Sequence, residues 1–194
     1  TGCGFWLLYS NGTISQTGDA TDLGDFPTSA FSTCERFATF SASPTGAGLW
    51  GFSNLGRVIV IGDATHLGDL PTLGITPNSD IVDSVALPSG TGIFMLGGDG
   101  GIFAFGTALY IDSLPGLGIV PNTPAVGLVP DPDGTGYWIV ASDGGAFSFD
   151  APFRGSLPGL GVSPNKPIIG MVAYGNGYLQ VATDGGVFNF SDLG

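Results

Sequence analysis

A repeat of 44 residues is the feature that most limits how this 194-residue chain can fold. A glycine that precedes a pair of aromatic or aliphatic residues marks each copy, and the fifth copy begins 41 residues after the fourth: Gly4, Gly48, Gly92, Gly136 and Gly177. The spacing predicts repeats at residues 1–44, 45–89, 90–133 and 134–176, with a partial copy at 177–194. Such a period is typical of small structural units that stack on one another.

Within one copy, strand signals alternate with turn signals. Tyr137–Ala141 is short, aromatic and β-branched, which favours a strand. Asp143–Gly145 predicts a tight hairpin turn, and Ala146–Phe149 alternates so that both phenylalanines lie on one face of the returning strand. A third short strand is expected around Phe153–Gly155 and a fourth at Ile168–Ala173.

The hairpin turn recurs with a fixed chemistry. Aspartate and asparagine favour such turns because their side chains accept backbone hydrogen bonds, and glycine supplies the positive φ angle. We therefore predict a structural role, and no catalytic one, for the recurring turn residues Asn11, Gly12, Asp99, Gly100, Asp143, Gly144, Asp184 and Gly185.

Four short antiparallel strands in each repeat predict an all-β fold, a β-propeller of about five blades that forms one domain over residues 1–194. The first and last blades are expected to be incomplete, because the chain begins and ends within a repeat. A parallel β-helix is disfavoured because its coils are shorter and lack a hairpin tip, and a flat array of hairpins would be unstable alone. Incomplete blades favour pairing with another chain, although a cut from a longer propeller would leave the same ends.

Charge and composition narrow the class of partner. Only 10% of residues are charged and the formal net charge is −12, so nucleic acid is an unfavourable partner. The sequence has no apolar run of membrane-spanning length. Few lysines, much glycine and two cysteines predict an extracellular or cell-surface location.

The two cysteines, Cys3 and Cys34, are a candidate disulfide pair. A bridge that closes this loop would stabilise the fold by about 3–4 kcal/mol. The repeat, however, places the two residues near opposite ends of a blade. Two free thiols or a bridge between chains therefore remain open alternatives.

No metal or other cofactor is predicted. The acidic stretch of Asp19, Asp22 and Asp25 has two interpretations, a cation site or a solvated loop, and we favour the loop. The segment 131–136 lacks the spaced ligands of an EF-hand and is better explained as a turn. The only histidine, His66, has no second ligand near it in the sequence, so we expect an exposed loop residue.

The run from Gly136 to Ser156, with its GYW, DGG and alternating phenylalanines, resembles a repeat common in secreted and cell-surface proteins of actinobacteria. The resemblance is strong over residues 90–194 and weaker before them. It implies a propeller and carries no assigned activity. The turn also resembles the Asp-box hairpin of sialidase-type propellers, where the motif is structural, so the resemblance implies no catalytic residue here.

Two functions are compatible with these features. The first is a non-catalytic surface module that binds carbohydrate or protein ligands. Trp50 and Trp138 could stack on sugars, but Phe94 and Leu179 hold the same strand position, which indicates core packing. The alternative is a structural subunit of a surface layer, filament or appendage whose incomplete terminal blades pair between chains.

Catalysis is not expected. The chain has one histidine and one glutamate, and it lacks a nucleophile motif such as G-x-S-x-G. A pair of aspartates, as in glycosidases, is the remaining route. The recurring aspartates lie at predicted hairpin tips, where their role in the turn is sufficient to explain them.

Overall fold

The structure, a computed structural model, describes residues 3–134 and 136–193. These residues form fourteen strands and two short 3₁₀ turns, so no helix among them is long enough to cross a membrane. The elements are β1 (Phe5–Leu8), β2 (Ile14–Thr17), β3 (Phe37–Ala42), β4 (Gly48–Ser53), β5 (Val58–Gly62), a 3₁₀ turn (Pro71–Leu73), β6 (Ile81–Ala86), β7 (Gly92–Gly97), β8 (Ile102–Gly106), β9 (Ala125–Pro130), β10 (Tyr137–Ala141), β11 (Ala146–Phe149), a second 3₁₀ turn (Pro158–Leu160), β12 (Ile168–Tyr174), β13 (Gly177–Ala182) and β14 (Val187–Phe190).

The strands form five separate antiparallel sheets, numbered here in chain order. Sheet 1 contains β1 and β2, and the other four contain three consecutive strands each: β3–β5, β6–β8, β9–β11 and β12–β14. In each three-stranded sheet the strand that follows the repeat glycine lies in the middle. The predicted fold class, an all-β chain of propeller-type repeats, is confirmed.

Each full repeat contributes three strands, whereas the sequence predicted four. The expected strand at Phe153–Gly155 is absent, and this described segment is an irregular loop. Its carbonyl groups accept hydrogen bonds from side chains instead of a neighbouring strand: the Trp138 indole donates to Pro152 and the Tyr178 hydroxyl donates to Gly155. Proline also lacks the N–H group that a strand ladder needs.

The sheets are shifted by one strand relative to the predicted repeats. β12 pairs with β13, which follows it, because the turn at Gly175 and Asn176 places Tyr174 opposite Gly177. The last strand of each predicted repeat is therefore the first strand of the next sheet. As a result, sheet 5 has the same three strands as sheets 2–4, and within the described residues sheet 1 has two.

The pairing register fixes which side chains share a face. In sheet 4, Tyr137 lies opposite Phe149 and Ile139 lies opposite Phe147. Both phenylalanines therefore lie on one face, as the alternation predicted. Trp138, one residue along the strand, faces the other side.

The chain divides into two compact units. The first is Thr1–Met95 with Phe103–Leu109, and the second is Leu96–Ile102 with Tyr110–Gly194. In the first unit, sheet 1 packs on sheet 2 around Phe26, Phe37 and Leu49. Sheet 2 then packs on the part of sheet 3 that belongs to this unit, and the buried residues are Trp50, Phe52, Val58, Ala64, Leu70, Ile81, Ile93 and Met95.

The second unit buries one apolar cluster between sheets 4 and 5. The Trp138 and Tyr178 rings, whose centroids are 5.5 Å apart, lie in it. The remaining buried members come from the five strands β10–β14 and the loop after β11: Val140, Ala146, Leu157, Ile168, Met171, Ala182 and Phe190. Two facing sheets thus bury a core that neither sheet could form alone.

Candidate binding grooves at the hairpin tips

The turn between the last two strands of each sheet is called here the hairpin tip, and in most sheets an aspartate or asparagine side chain of the turn closes it. At the tip of sheet 4 the Asp143 carboxylate accepts a hydrogen bond from the Gly145 N–H at 2.8 Å. The pairs that repeat this geometry in other sheets are Asn11 with Thr13, Asp99 with Gly101 and Asp184 with Gly186. The glycine between each pair has a positive φ angle: Gly12, Gly100, Gly144 and Gly185. These side chains act within the turn.

The tips of sheets 2, 3 and 4 each contact the leucine of the Leu-Pro segment that follows them in the chain. The Leu157 N–H donates to the Gly144 carbonyl at 3.2 Å, and the Leu157 side chain is buried. A Cβ atom on Gly144 would lie 2.5 Å from Leu157 Cδ1. The same contact joins Gly56 to Leu70 and Gly100 to Leu114, and phenylalanine replaces leucine in sheet 1, where Gly12 contacts Phe26.

After the anchoring leucine, the chain makes a short 3₁₀ turn and projects apolar side chains. In the fourth repeat this turn is Pro158–Leu160, and Gly161 ends it in the left-handed conformation. Leu160 and Val162 are exposed on the loop. The second repeat forms the same loop and exposes Leu73 and Ile75.

A groove lies between the tip of sheet 2 and this loop; we call it groove 1. Its volume is about 280 Å³. The lining combines aliphatic and proline side chains from the loop with an ion pair: Glu35, Arg57, Pro71, Ile75 and Pro77. Groove 1 thus has an apolar wall opposite a charged one.

The ion pair of groove 1 is fixed in position. The Glu35 side chain is only 1% exposed, and its carboxylate accepts from Arg57 Nε at 2.9 Å. It also accepts from the Ser53 hydroxyl at 2.7 Å and from the Ser32 N–H at 3.0 Å. Such a network orients both charged groups before any ligand arrives.

The electrostatics of Glu35 follow from these contacts. Burial acts to raise the pKa of Glu35. The hydrogen bonds from Ser32, Ser53 and Arg57, together with the Arg57 charge, outweigh burial and hold the pKa below its ordinary value. Glu35 is therefore a carboxylate at neutral pH, so it accepts hydrogen bonds and is poorly suited to donate a proton.

The second unit contains the equivalent groove, called groove 2, with a volume of about 540 Å³. The Leu-Pro loop again supplies prolines and one aliphatic side chain, and the polar wall differs: Thr123, Asp143, Pro158, Val162, Pro164 and Lys166. Thr123 occupies the repeat position of Glu35, and its hydroxyl accepts the Asp143 N–H at 3.0 Å. Lys166 is the only lysine of the chain.

The tryptophans do not line these grooves. Trp50 and Trp138 are buried between sheets, and Phe94 at the same strand position is buried as well. Each indole N–H donates to a backbone carbonyl, from Trp50 to Thr65 at 2.7 Å and from Trp138 to Pro152 at 2.9 Å. Trp50 and Trp138 therefore pack in the core, which is the interpretation that the sequence favoured. Their rings are not accessible for stacking on sugars.

The candidate disulfide is not formed. Cys3 and Cys34 are both exposed, and no bridge joins them in the described chain. The reason is topological, because Cys3 precedes β1 whereas Cys34 precedes β3. The Phe37 N–H donates to the Ser10 carbonyl at 3.0 Å, which places the start of β3 beside the far end of β1.

The remaining polar residues noted in the sequence serve loops. The Asp25 carboxylate accepts the Ile14 N–H at 2.8 Å, and the Asp22 carboxylate accepts the Gly24 N–H at 3.0 Å. His66 is partly exposed and lies 3.9 Å from the Asp69 carboxylate.

The acidic turn that begins at Asp131 is closed by backbone bonds. The Asp131 N–H donates to Gly136, and the Gly134 N–H donates back to Asp131, both at 2.9 Å. Residue 135 of this segment lies outside the described residues.

Sequence reasoning missed both grooves. The signal that was available for groove 1 is that the only glutamate and one of three arginines fall beside a hairpin tip and the loop before it. The distance between Glu35 and Arg57 along the chain concealed the pair. Groove 2 has no comparable signal, because Asp143 is sufficiently explained by the turn and Lys166 lies in a proline-rich loop.

Comparisons with known proteins bear on the fold. No family model matches the chain, and no curated protein matches it. One similar solved structure is the computationally designed Ika4 protein, which is 15% identical, with a TM-score of 0.52 over 78% of this chain and 88% of that one. Another is the β-propeller domain of Cps50 (Swd1) from Myceliophteria thermophila, 9% identical, with a TM-score of 0.48 over 79% of this chain. The chain spans 52% of the length of that Swd1 structure. At 15% identity, the similarity to the designed protein concerns the fold alone.

Proposed function

We propose that the chain is a non-catalytic binding module outside the cell, and that grooves 1 and 2 bind neutral carbohydrate. The observation that carries this proposal is the recurrence of a groove at the same position of two repeats, one in each compact unit. Repetition of a weak site raises the overall affinity for a polymeric ligand without new contacts.

The lining supports a sugar as the ligand class. A sugar ring presents C–H faces and hydroxyl groups, so it needs an apolar wall and fixed donors and acceptors together. Ile75 and Pro77 provide the apolar wall in groove 1, and Arg57, held in place by the buried Glu35 carboxylate, provides the polar one. The net charge of −12 disfavours sulfated or phosphorylated ligands and nucleic acid, which leaves neutral glycans.

The absence of catalysis is part of the proposal. The recurring aspartates accept hydrogen bonds from the backbone of their own turns, as Asp143 does from Gly145. Glu35 is held as a carboxylate by Arg57 and Ser53. These groups are engaged as acceptors, which suits binding better than proton transfer.

The test is a screen of neutral and sulfated oligosaccharides, followed by calorimetric titration of a neutral hit. We expect about two sites per chain. Ile75→Arg fills groove 1 and Val162→Arg fills groove 2, so each is expected to reduce the number of sites from about two to about one. Val120→Arg is the matched control, because Val120 is exposed on the equivalent loop of the third repeat and lines neither groove.

Two results would contradict the proposal. One is that no neutral sugar binds. The other is that both arginine variants bind with unchanged stoichiometry, which would place the site elsewhere.

A second candidate function is an assembly subunit, of a surface layer, filament or appendage. The observation that favours it is a set of exposed apolar side chains on the strands of sheets 1 and 5, including Phe5, Leu7, Val172 and Val187. Strand residues of this type are usually buried by a neighbouring sheet. Light scattering of the purified chain tests it, because an assembly subunit forms ordered oligomers without added ligand.

A further inference from the structure

The internal sheets of each unit pack in one consistent orientation. We name the two faces of each sheet by repeat position: the forward face contains the position of Trp138, and the backward face contains the position of Tyr178. Trp138 and Val140 belong to the forward face of sheet 4, and they pack on Tyr178 and Ala182 of the backward face of sheet 5. In the first unit Trp50 of sheet 2 packs in the same way on the next sheet.

The forward face of sheet 5 is apolar and uncovered. The register places Val172, Leu179 and Asn189 abreast, at the positions that Val129, Trp138 and Ser148 hold in sheet 4. Val187, on the same face, is 59% exposed, and Val172 is 53% exposed. Sheet 4 buries this face, whereas sheet 5 leaves it in solvent.

The backward face of sheet 1 is uncovered in the same way. Phe5, Leu7 and Tyr9 project from it and are 56%, 50% and 52% exposed. The repeat positions of Phe5 are held in other sheets by Leu49 and Tyr178, which are both fully buried. Sheet 1 thus presents the kind of surface that each later sheet buries.

The two faces also resemble each other in lacking charge. Neither contains a charged side chain, since Ser15 and Thr17 flank the aromatics of sheet 1 and Asn189 flanks the valines of sheet 5. In a chain with net charge −12, an uncharged pair of faces is where two copies can approach without repulsion. The interface would continue the same sheet-on-sheet packing that already forms the cores within each unit.

We propose that the forward face of sheet 5 binds the backward face of sheet 1 of a second copy of this chain. The inference rests on the second function proposed above and names its interface. A contact between two different faces is heterologous, so repetition produces a closed ring or an open filament. The inter-copy contact would bury Phe5 and Leu7 against Val172 and Val187.

The test uses one variant for each face. Leu7→Asp places a charge on the backward face of sheet 1, and Val172→Asp places one on the forward face of sheet 5. For the wild type, light scattering is expected to show masses that are multiples of 19.6 kDa and rise with concentration. Each variant alone is expected to stay at 19.6 kDa, whereas their equimolar mixture is expected to form a dimer of twice that mass, because each variant retains one intact face.

A matched variant, Leu160→Asp, changes an exposed leucine away from both faces and is expected to assemble as the wild type does. Circular dichroism establishes that the variants are folded. Carbohydrate titration of the two face variants separates this proposal from the grooves, because a folded monomer keeps its sugar sites.

The proposal is overturned if the wild type stays monomeric at all concentrations, as it would if another protein or a further segment covers these faces. It is also overturned if either face variant alone still dimerises, since that requires an interface between two identical faces. Failure of the mixture to form the dimer has the same consequence.

Discussion

The hairpin tips of sheets 2 and 4 have the same backbone and different side-chain networks. Both contain a glycine in the left-handed conformation, Gly56 with φ 79° and Gly144 with φ 83°. The carbonyl oxygen of each glycine accepts a hydrogen bond from the backbone N–H of a buried leucine. The tip of sheet 4 is closed by the Asp143 carboxylate, and the Asp143 N–H donates to the Thr123 hydroxyl. The tip of sheet 2 instead uses Ser53, which accepts the Arg57 N–H at 3.0 Å, and the ion pair of Glu35 with Arg57.

The two tips thus share a backbone contact that the fold requires, and they differ in the polar side chains that a binding site can vary. The contact between glycine and leucine is common to both tips, so we infer that it maintains the backbone geometry of the turn. The polar groups above it are exchangeable, since an aspartate and a threonine in one groove stand in for a glutamate, a serine and an arginine in the other. Two grooves that share one backbone contact can therefore carry different specificities.

The largest effect is expected from adding one methyl group to the shared contact. Gly56→Ala and Gly144→Ala force a residue with a Cβ into positive φ, which costs about 1–2 kcal/mol. They also place the Cβ at 2.4 Å and 2.5 Å from a leucine Cδ1, and overpacking adds about 1–3 kcal/mol. We expect each variant to lower the free energy of unfolding by about 2–5 kcal/mol in urea titrations.

Gly185→Ala is the matched control for these variants. Gly185 has φ 85°, close to that of Gly144, but a Cβ there meets no atom within 4 Å. Its cost should therefore be the backbone cost alone, about 1–2 kcal/mol. If all three variants lose the same stability, the contact with leucine contributes nothing and the comparison of the tips fails.

The next effect concerns the network that only the tip of sheet 2 has. Glu35→Gln removes the negative charge that Arg57 and two other donors share, while its size is kept. Hydrogen bonds to a charged group contribute about 1.5–3 kcal/mol, so we expect a loss within that range at pH 7, measured by urea titration. Asp80→Asn is the control, since it removes an ion pair with Arg36 that lies in solvent and contributes about 0–1 kcal/mol.

The same variant predicts a pH dependence with a definite sign. Because the pKa of Glu35 is lowered on folding, its contribution is fully present above the ordinary value of 4.5 and is lost as the pH falls through the folded-state pKa. The stability difference between wild type and Glu35→Gln should therefore shrink below about pH 4.5. A difference that grows on acidification would contradict the assignment of Glu35 as a hydrogen-bonded carboxylate.

The fold could be predicted from the sequence because its signals are local. Residues that are adjacent in the sequence predict the turn at Asp143–Gly145 and the strands on either side of it. The same pattern recurs in the other copies, which strengthens the prediction. The predicted strand near Phe153 was wrong for a non-local reason: the hydrogen bonds from Trp138 and Tyr178 that hold this loop come from other strands. The local sequence around Phe153 gives no sign of these hydrogen bonds from distant strands.

The grooves were unpredictable for a related reason. Glu35 and Arg57 meet only because the loop before β3 folds back on the hairpin tip of sheet 2, and no short motif marks such a contact. The burial of Trp138, in contrast, followed from its fixed place in the repeat. The residues that differ between copies, such as Glu35 and Arg57, carry the candidate site.

The smallest effect is expected at the tip of sheet 4. Thr123→Ala removes the hydroxyl that accepts the Asp143 N–H, and one neutral hydrogen bond contributes about 0.5–1.5 kcal/mol. Thr123→Ser keeps the hydroxyl and should lie closer to the wild type in the same urea titration. A loss from Thr123→Ala as large as that from Glu35→Gln would mean that the two networks contribute equally. A loss within the lower range would mean that groove 2 tolerates change in its polar wall, because the contact between Gly144 and Leu157 maintains the turn without it.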